Sequence, residues 1–170
     1  MTPASYVLFP LGAKRFAVHA EAVAELARPG RLHTFPHTTP LLTGVLLRRG
    51  RIVPVCDIGQ VLVGSDAPAR RFYLIVQRPA ESGGEWTAIP VSGECELVRG
   101  EETPGNSASP AWVTGVLSLP ETVEVLDVDQ LVLMGMNHSG APQGASVPQS
   151  GTAPATPAWP GGRGNPEAPA

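Results

Sequence analysis

Along the first 135 positions the chain alternates short apolar runs with Gly, Pro and charged breaks. Runs this short, rich in Val, Ile, Leu and aromatic residues and bounded by turn formers, read as β-strands. Tyr6 to Leu11 and Phe16 to Val18 flank Gly12-Ala13-Lys14-Arg15, the pattern of a hairpin. Val18, Ala22, Val23 and Leu26 then share one helical face with Glu21 and Glu25 pointing outward, which predicts a brief helix ended by Arg28-Pro29-Gly30. Strands are expected around Leu32–Phe35, Leu42–Arg48, Ile52–Cys56, Phe72–Gln77, Trp86–Val91 and Glu94–Val98. A last pair is expected at Val113–Leu119 and Val123–Leu126, and the linkers Gly64–Ala69 and Gly100–Pro110 carry turn residues.

An internal repeat organises these strands. Thr43-Gly44-Val45-Leu46 recurs as Thr114-Gly115-Val116-Leu117 at an offset of 71 residues. Asp57-Ile58-Gly59-Gln60-Val61-Leu62 recurs as Asp127-Val128-Asp129-Gln130-Leu131-Val132 at an offset of 70, so one residue is lost in the intervening turn. Each copy reads strand, turn, strand, then a short helix opened by an Asp suited to cap free N–H groups. Two related β units are expected, each too small to stand as a robust domain. The repeat blocks span 43–62 and 114–132.

Composition changes the picture at the C-terminus. Gly and Pro number 19 each among 170 residues, and many fall in the last segment. From residue 136 to 170 the chain is mostly Gly, Ala, Pro, Ser and Thr, with Arg163 and Glu167 as the charges and Val147 and Trp159 the large apolar groups after Asn137. So little apolar surface cannot offset backbone ordering, which costs roughly 1–2 kcal/mol per residue. A folded domain over 1–135 and a disordered tail over 136–170 are expected. The net charge of −3 gives no electrostatic case for nucleic acid, whose binding needs clustered cations beyond Arg48, Arg49 and Arg51. No run approaches the roughly 18 apolar residues of a membrane span, and no secretory signal opens the chain, so no membrane insertion and a cytoplasmic location are expected. In a reducing compartment Cys56 and Cys95 are expected as buried thiols.

Motifs for chemistry are sparse. The sequence carries no nucleophile elbow, phosphate loop or Cys-x-x-Cys pair. Gly12-Ala13-Lys14-Arg15 lacks the preceding glycine and following hydroxyl residue of a phosphate loop. His33 and His37 have metal-ligand spacing for a helix, but Pro36 and Pro40 make this extended chain, and no third ligand lies nearby. A Cys56 nucleophile is the best enzyme alternative, and its apolar strand argues for an inert thiol. Neither a catalytic residue, a metal nor a cofactor is expected.

The segment Gly44-Val45-Leu46-Leu47-Arg48-Arg49-Gly50-Arg51-Ile52-Val53-Pro54-Val55-Cys56-Asp57-Ile58 resembles the signature of CheW-type coupling proteins, in which Gly-Val-Ile-Asn-Leu-Arg-Gly leads into Val-Val-Pro-Val-Ile-Asp-Leu. Leu11-Gly12 with Phe16-Ala17-Val18 resembles the family's opening hairpin, and Val23-Ala24-Glu25-Leu26 its Val-x-Glu-Ile helix. Phe35-Pro36 through Pro40 resembles its Ile-Pro-x-x-Pro turn, and Val113-Thr114-Gly115 with Val123–Leu131 its closing strands and helix. The resemblance covers about Tyr6–Leu133. It implies a mainly β fold of two SH3-like five-stranded barrels around a shared core, with short helices and no enzymatic activity.

It also implies two partners: the regulatory domain of a CheA-type histidine kinase, and the cytoplasmic tip of chemoreceptors, held in a groove between the barrels. By resemblance the interface residues are Val23, Glu25, Gly44, Arg49, Gly50, Val53, Pro54 and Gly115. Arg49 is suited either to a partner carboxylate or to an internal ion pair bracing its hairpin. Pro54 suggests an edge or a bulge, and an open edge suits docking. The chain departs from the pattern at Leu47-Arg48, where the family has Asn-Leu, and at Thr34, where it has Arg. These departures motivate an alternative: a CheW-fold module of another chemosensory system, such as pilus-driven motility, with altered or lost kinase coupling.

Overall fold

The computed structural model describes residues 3–34, 41–64, 70–79, 81 and 83–137. The expected turn at Phe35–Pro40 with His37, most of the linker Gly64–Ala69 and the tail beyond Asn137 lie outside the described residues. The elements in order are β1 (Ala4–Leu11), β2 (Lys14–His19), a 3-10 turn (Ala20–Ala22), β3 (Val23–Ala27), β4 (Leu42–Arg48) and β5 (Arg51–Cys56). They continue with α1 (Gly59–Val63), β6 (Phe72–Gln77), β7 (Trp86–Val91), β8 (Glu96–Gly100), β9 (Glu102–Pro104), β10 (Val113–Ser118), β11 (Thr122–Leu126) and α2 (Val128–Asn137).

Two sheets form, in the orders β8-β1-β2-β11-β10-β9 and β3-β6-β7-β5-β4. Each closes on itself. In the first, β8 pairs with β1 and β9 with β10, and Glu101 alone separates β8 from β9, so one bent strand joins the two edges. In the second, the chain leaving β3 bridges β4 at His33↔Val45. Counting each bent segment once, both are five-stranded barrels.

The two are built alike. Among the described residues the strands pair in parallel between β11 and β2 in the first barrel and between β5 and β7 in the second, and Val125↔Ala17 and Val55↔Ala88 fall at positions equivalent under the repeat. Thr114 and Thr43 hydroxyls donate to the carbonyls of Val125 and Val55, at 3.4 and 3.3 Å. The N–H groups of Asp127 and Asp57 donate to the carbonyls of Trp112 and Leu41, at 2.8 and 2.7 Å. Bulges fall at Val113/Gly115 and Leu42/Gly44. Asp127 caps α2, its Oδ1 accepting from the Gln130 N–H at 3.1 Å. Asp57 sits one residue before the cap of α1 and accepts from the Gly59 N–H at 3.2 Å and from Arg70 at 2.7 Å.

Three apolar clusters result. Tyr6, Leu8, Ala17, Leu117, Val123 and Val125 fill the first barrel. Leu46, Val53, Val55, Tyr73, Ile75 and Ala88 fill the second with Ala27. A third, larger cluster joins the barrels and includes Phe9, Leu11, Phe16, Val18, Leu74, Val76, Ile89 and Val91. Strands β1, β2, β6 and β7 therefore bury both faces, alternating between a barrel interior and the shared cluster. That is why Phe72 to Val76 is apolar at every position while β10 alternates Val113, Thr114, Gly115 and Val116.

Two expectations are corrected. The segment from Val18 to Leu26 is not a helix: β2 runs to His19, one 3-10 turn follows, and Val23–Ala27 is β3, paired with β6. Helical spacing over so few residues is weak, and the free edge of β6 offers a ladder that an isolated turn of helix cannot match. Nor is the linker Gly100–Pro110 all turn, since Glu102–Pro104 forms β9. The expected strand at Leu32–Phe35 reduces, among its described residues, to the bridge at His33.

Candidate functional site: a hairpin face and an inter-barrel groove

β4 and β5 meet at a two-residue turn, Arg49-Gly50, with φ of 49° and 74°. Both signs are positive, as a hairpin turn matching strand twist requires. Gly50 meets that need freely, whereas Arg49 is a non-glycine residue held in the left-handed region. Its guanidinium bonds the Glu25 carboxylate at 2.7 Å, and Arg48 bonds the other oxygen of the same carboxylate. These hydrogen bonds, Arg48 first, hold the Glu25 carboxyl below the usual glutamate range against the opposing effect of burial. Glu25 lies on β3 and the arginines at the end of β4, opposite edges of the sheet, so the cluster clasps the second barrel shut. Arg49 remains 70 % exposed, so its outward N–H groups still face water. Arg51 stacks over Trp86 at 4.8 Å.

The inward row of this hairpin, Leu46 and Val53 among it, is core. The outward row pairs Val45 with Pro54 and Leu47 with Ile52. Leu47 is 68 % exposed and Ile52 73 %, side by side in water. Pro54 is not on an edge strand: β5 lies between β7 and β4, and its pairing with β7 occurs at Val55, one residue on.

A groove of about 410 Å³ separates the barrels. Its walls are the end of β2 with the 3-10 turn (Val18, His19, Glu21), the end of β6 (Val76 to Pro79) and the start of α2 (Val128, Asp129). On one rim Glu102 accepts from Tyr6 at 3.1 Å and from Thr114 at 2.6 Å, with His19 Nε2 at 3.2 Å. Burial and the Glu102 contact push the Tyr6 hydroxyl up to about 12.

The expected interface residues thus divide. Glu25, Arg49, Gly50 and Pro54 gather at the β4–β5 hairpin and its clasp. Val23 is half-buried on β3 against the shared cluster. Val53 is fully buried inside the second barrel and offers nothing to a partner. Gly44 and Gly115 are buried beneath a third strand: a Cβ on Gly44 would lie 2.7 Å from the His33 carbonyl, and one on Gly115 2.5 Å from that of Thr103. Absence of a side chain at both lets the barrel close. Leu47 and Ile52 were missing from the expected set, although the repeat signals them: the equivalent positions are Ser118 and Thr122.

Cys56 is buried, and desolvation pushes its thiol up to about 11 despite a nearby cation, Arg78, which pulls the other way. Burial raises half-buried Cys95 to about 11 as well. Among the described residues no three His, Cys, Asp or Glu gather to hold a metal, and no helix is long and apolar enough to cross a membrane.

The fold thus consists of two interlocked barrels that carry an exposed apolar hairpin and share a groove. The chain belongs to the CheW-like domain family, whose model matches residues 5–136. Among solved structures it is similar to the scaffolding protein TtCheW from Thermoanaerobacter tengcongensis, at 18 % identity and a TM-score of 0.67, over 77 % of this chain and 88 % of that one. No curated protein matches the sequence. The family's members are non-enzymatic scaffolds, and this chain is not an enzyme.

Proposed function

We infer that the protein is a cytoplasmic adaptor that couples chemoreceptors to a CheA-type histidine kinase. The observation that carries this reading is the outward face of the β4–β5 hairpin, where Leu47 and Ile52 stand in water while the equivalent Ser118 and Thr122 of the second repeat are polar. The fold does not need apolar side chains there, and a partner does. On this reading the face, rimmed by Glu25, Arg49, Gly50 and Pro54, docks the kinase regulatory domain. The groove between the barrels takes the receptor's helical tip, with Val23 behind its wall, and Gly44 and Gly115 act through barrel closure. Co-sedimentation of the full chain with receptor-bearing membranes and kinase tests it. Kinase should reach the membrane fraction only when the chain is present, and kinase sedimenting equally without it contradicts the reading.

A second reading rests on Arg48. Where the family pattern has Leu, Arg48 places a second cation on Glu25 and makes the hairpin tip more basic. A CheW-fold module of another chemosensory system would then bind its own system's partners and not a chemotaxis kinase. Affinity for the two kinds of kinase regulatory domain separates the readings.

A further inference from the structure

The groove contains an ion pair that the fold alone does not explain. Arg78 follows β6, in the second barrel, and Asp129 lies in the first turn of α2, which extends β11 of the first barrel. Arg78 Nε donates to Asp129 Oδ1 at 2.6 Å, and the two side chains are only 11 % and 12 % exposed. Among the described residues it is the ion pair that crosses from one barrel to the other; the remaining pairs stay within a barrel. Both residues line the groove.

Burying two opposite charges gains little stability over burying apolar groups of the same size, because desolvation offsets their attraction. What the pair supplies is geometry. A buried guanidinium separated from its carboxylate is costly, so the pair tolerates little sliding of β6 against α2. The apolar contacts of the shared cluster, being non-directional, impose no comparable restriction. We propose that Arg78 and Asp129 are positioning residues, which fix the width of the inter-barrel groove and so set its fit to a receptor's helical tip. This rests on the reading of the groove as the receptor site.

The test compares two partners on the full chain: a soluble cytoplasmic receptor fragment, and the isolated regulatory domain of a CheA-type kinase. Arg78→Gln and Asp129→Asn should each weaken receptor binding about tenfold or more while kinase binding, at the β4–β5 hairpin with which neither residue is paired, changes less than about twofold. The exchange R78D/D129R should recover most of the receptor affinity, since the attraction is restored with its ends reversed. If Arg78→Gln fails to fold, Arg78→Lys retains the charge on a narrower head and should show the same split between partners, with a smaller loss. Receptor and kinase affinities falling together, in step with the denaturant midpoint, would reduce the pair to a structural tie and overturn the proposal. Unchanged receptor affinity in a folded Arg78→Gln chain overturns it as well. A wild-type chain that binds kinase but no receptor fragment refutes the groove reading first, before any substitution is made, and the proposal with it.

Discussion

The hairpins β4–β5 and β10–β11 are copies of one design with opposite surfaces. Both carry a bulge near a buried glycine, both send a Thr hydroxyl to a valine carbonyl at the equivalent position, and both lead into a helix. Yet the outward row of the first is Val45, Leu47, Ile52 and Pro54, and that of the second Val116, Ser118, Thr122 and Glu124. One molecule therefore contains its own control. Whatever the two rows share belongs to the fold, and where they differ the difference answers to something outside it. The barrels also close differently. Among the described residues the first uses a ladder of three pairs between β9 and β10, the second the bridge at His33 and the clasp of Glu25 with Arg48 and Arg49.

The largest effect should separate the two closures. Gly115→Ala is expected to cost about 3 kcal/mol, since its Cβ would press on a strand that cannot retreat without breaking its ladder. Gly44→Ala should cost less, about 1–2 kcal/mol, because among the described residues the chain at His33 meets β4 at one bridge, and the Leu32 side chain beside it can turn away. Denaturant midpoints decide, and equal costs would show that the closures are equally stiff. Next, grafting the polar row onto the apolar hairpin, as Leu47→Ser with Ile52→Thr, should leave the midpoint nearly unchanged. It should weaken kinase binding by about 2–3 kcal/mol, roughly 30- to 150-fold. The reverse graft, Ser118→Leu with Thr122→Ile, should fold and bind kinase through the original face as before.

A smaller effect is expected at Arg49. Because Arg49 is 70 % exposed and Glu25 keeps Arg48, Arg49→Ala should cost less than about 1 kcal/mol of stability. A partner carboxylate on its outward face would make the same substitution lower kinase affinity about tenfold. A fall in midpoint without that loss would assign Arg49 to the clasp alone. The smallest effect is acid sensitivity. The Glu25 carboxyl is held down in the folded state, so its contribution is present above the ordinary glutamate range, near 4.3, and fades as pH falls through the lowered folded value. Hydrogen exchange should therefore quicken in β3 and β4 before β9 and β10 on acidification, and Glu25→Gln should remove most of that lead.

Much of this architecture was legible in the sequence because it rests on repeated local patterns. The offsets of 71 and 70 residues marked the duplicated hairpins and the shorter second turn, and continuous apolar runs marked the strands buried on both faces. What escaped depended on distant partners. Val23–Ala27 has spacing that suits a helix or a strand, and the edge of β6, some 50 residues on, decides for strand. Glu102-Thr103-Pro104 has no strand character of its own and pairs because it continues β8 past the gap above Gly115. At the site, the motif located the hairpin and its turn. That Arg49 meets Glu25 could not be read, since the two lie on elements at opposite edges of one sheet.

The strands that change barrel have a further consequence. After β1 and β2, the chain leaves their sheet and places β3, β4 and β5 in the other; after β6 and β7, it crosses back with β8 to β11. Each half of the gene thus completes its partner's barrel with a hairpin, an exchange within one polypeptide of the kind usually seen between subunits. Neither half possesses a closed barrel. Covalent linkage of the two repeats also lifts a symmetry constraint: a symmetric dimer must present the same surface twice, whereas one chain carries an apolar hairpin face and a polar one.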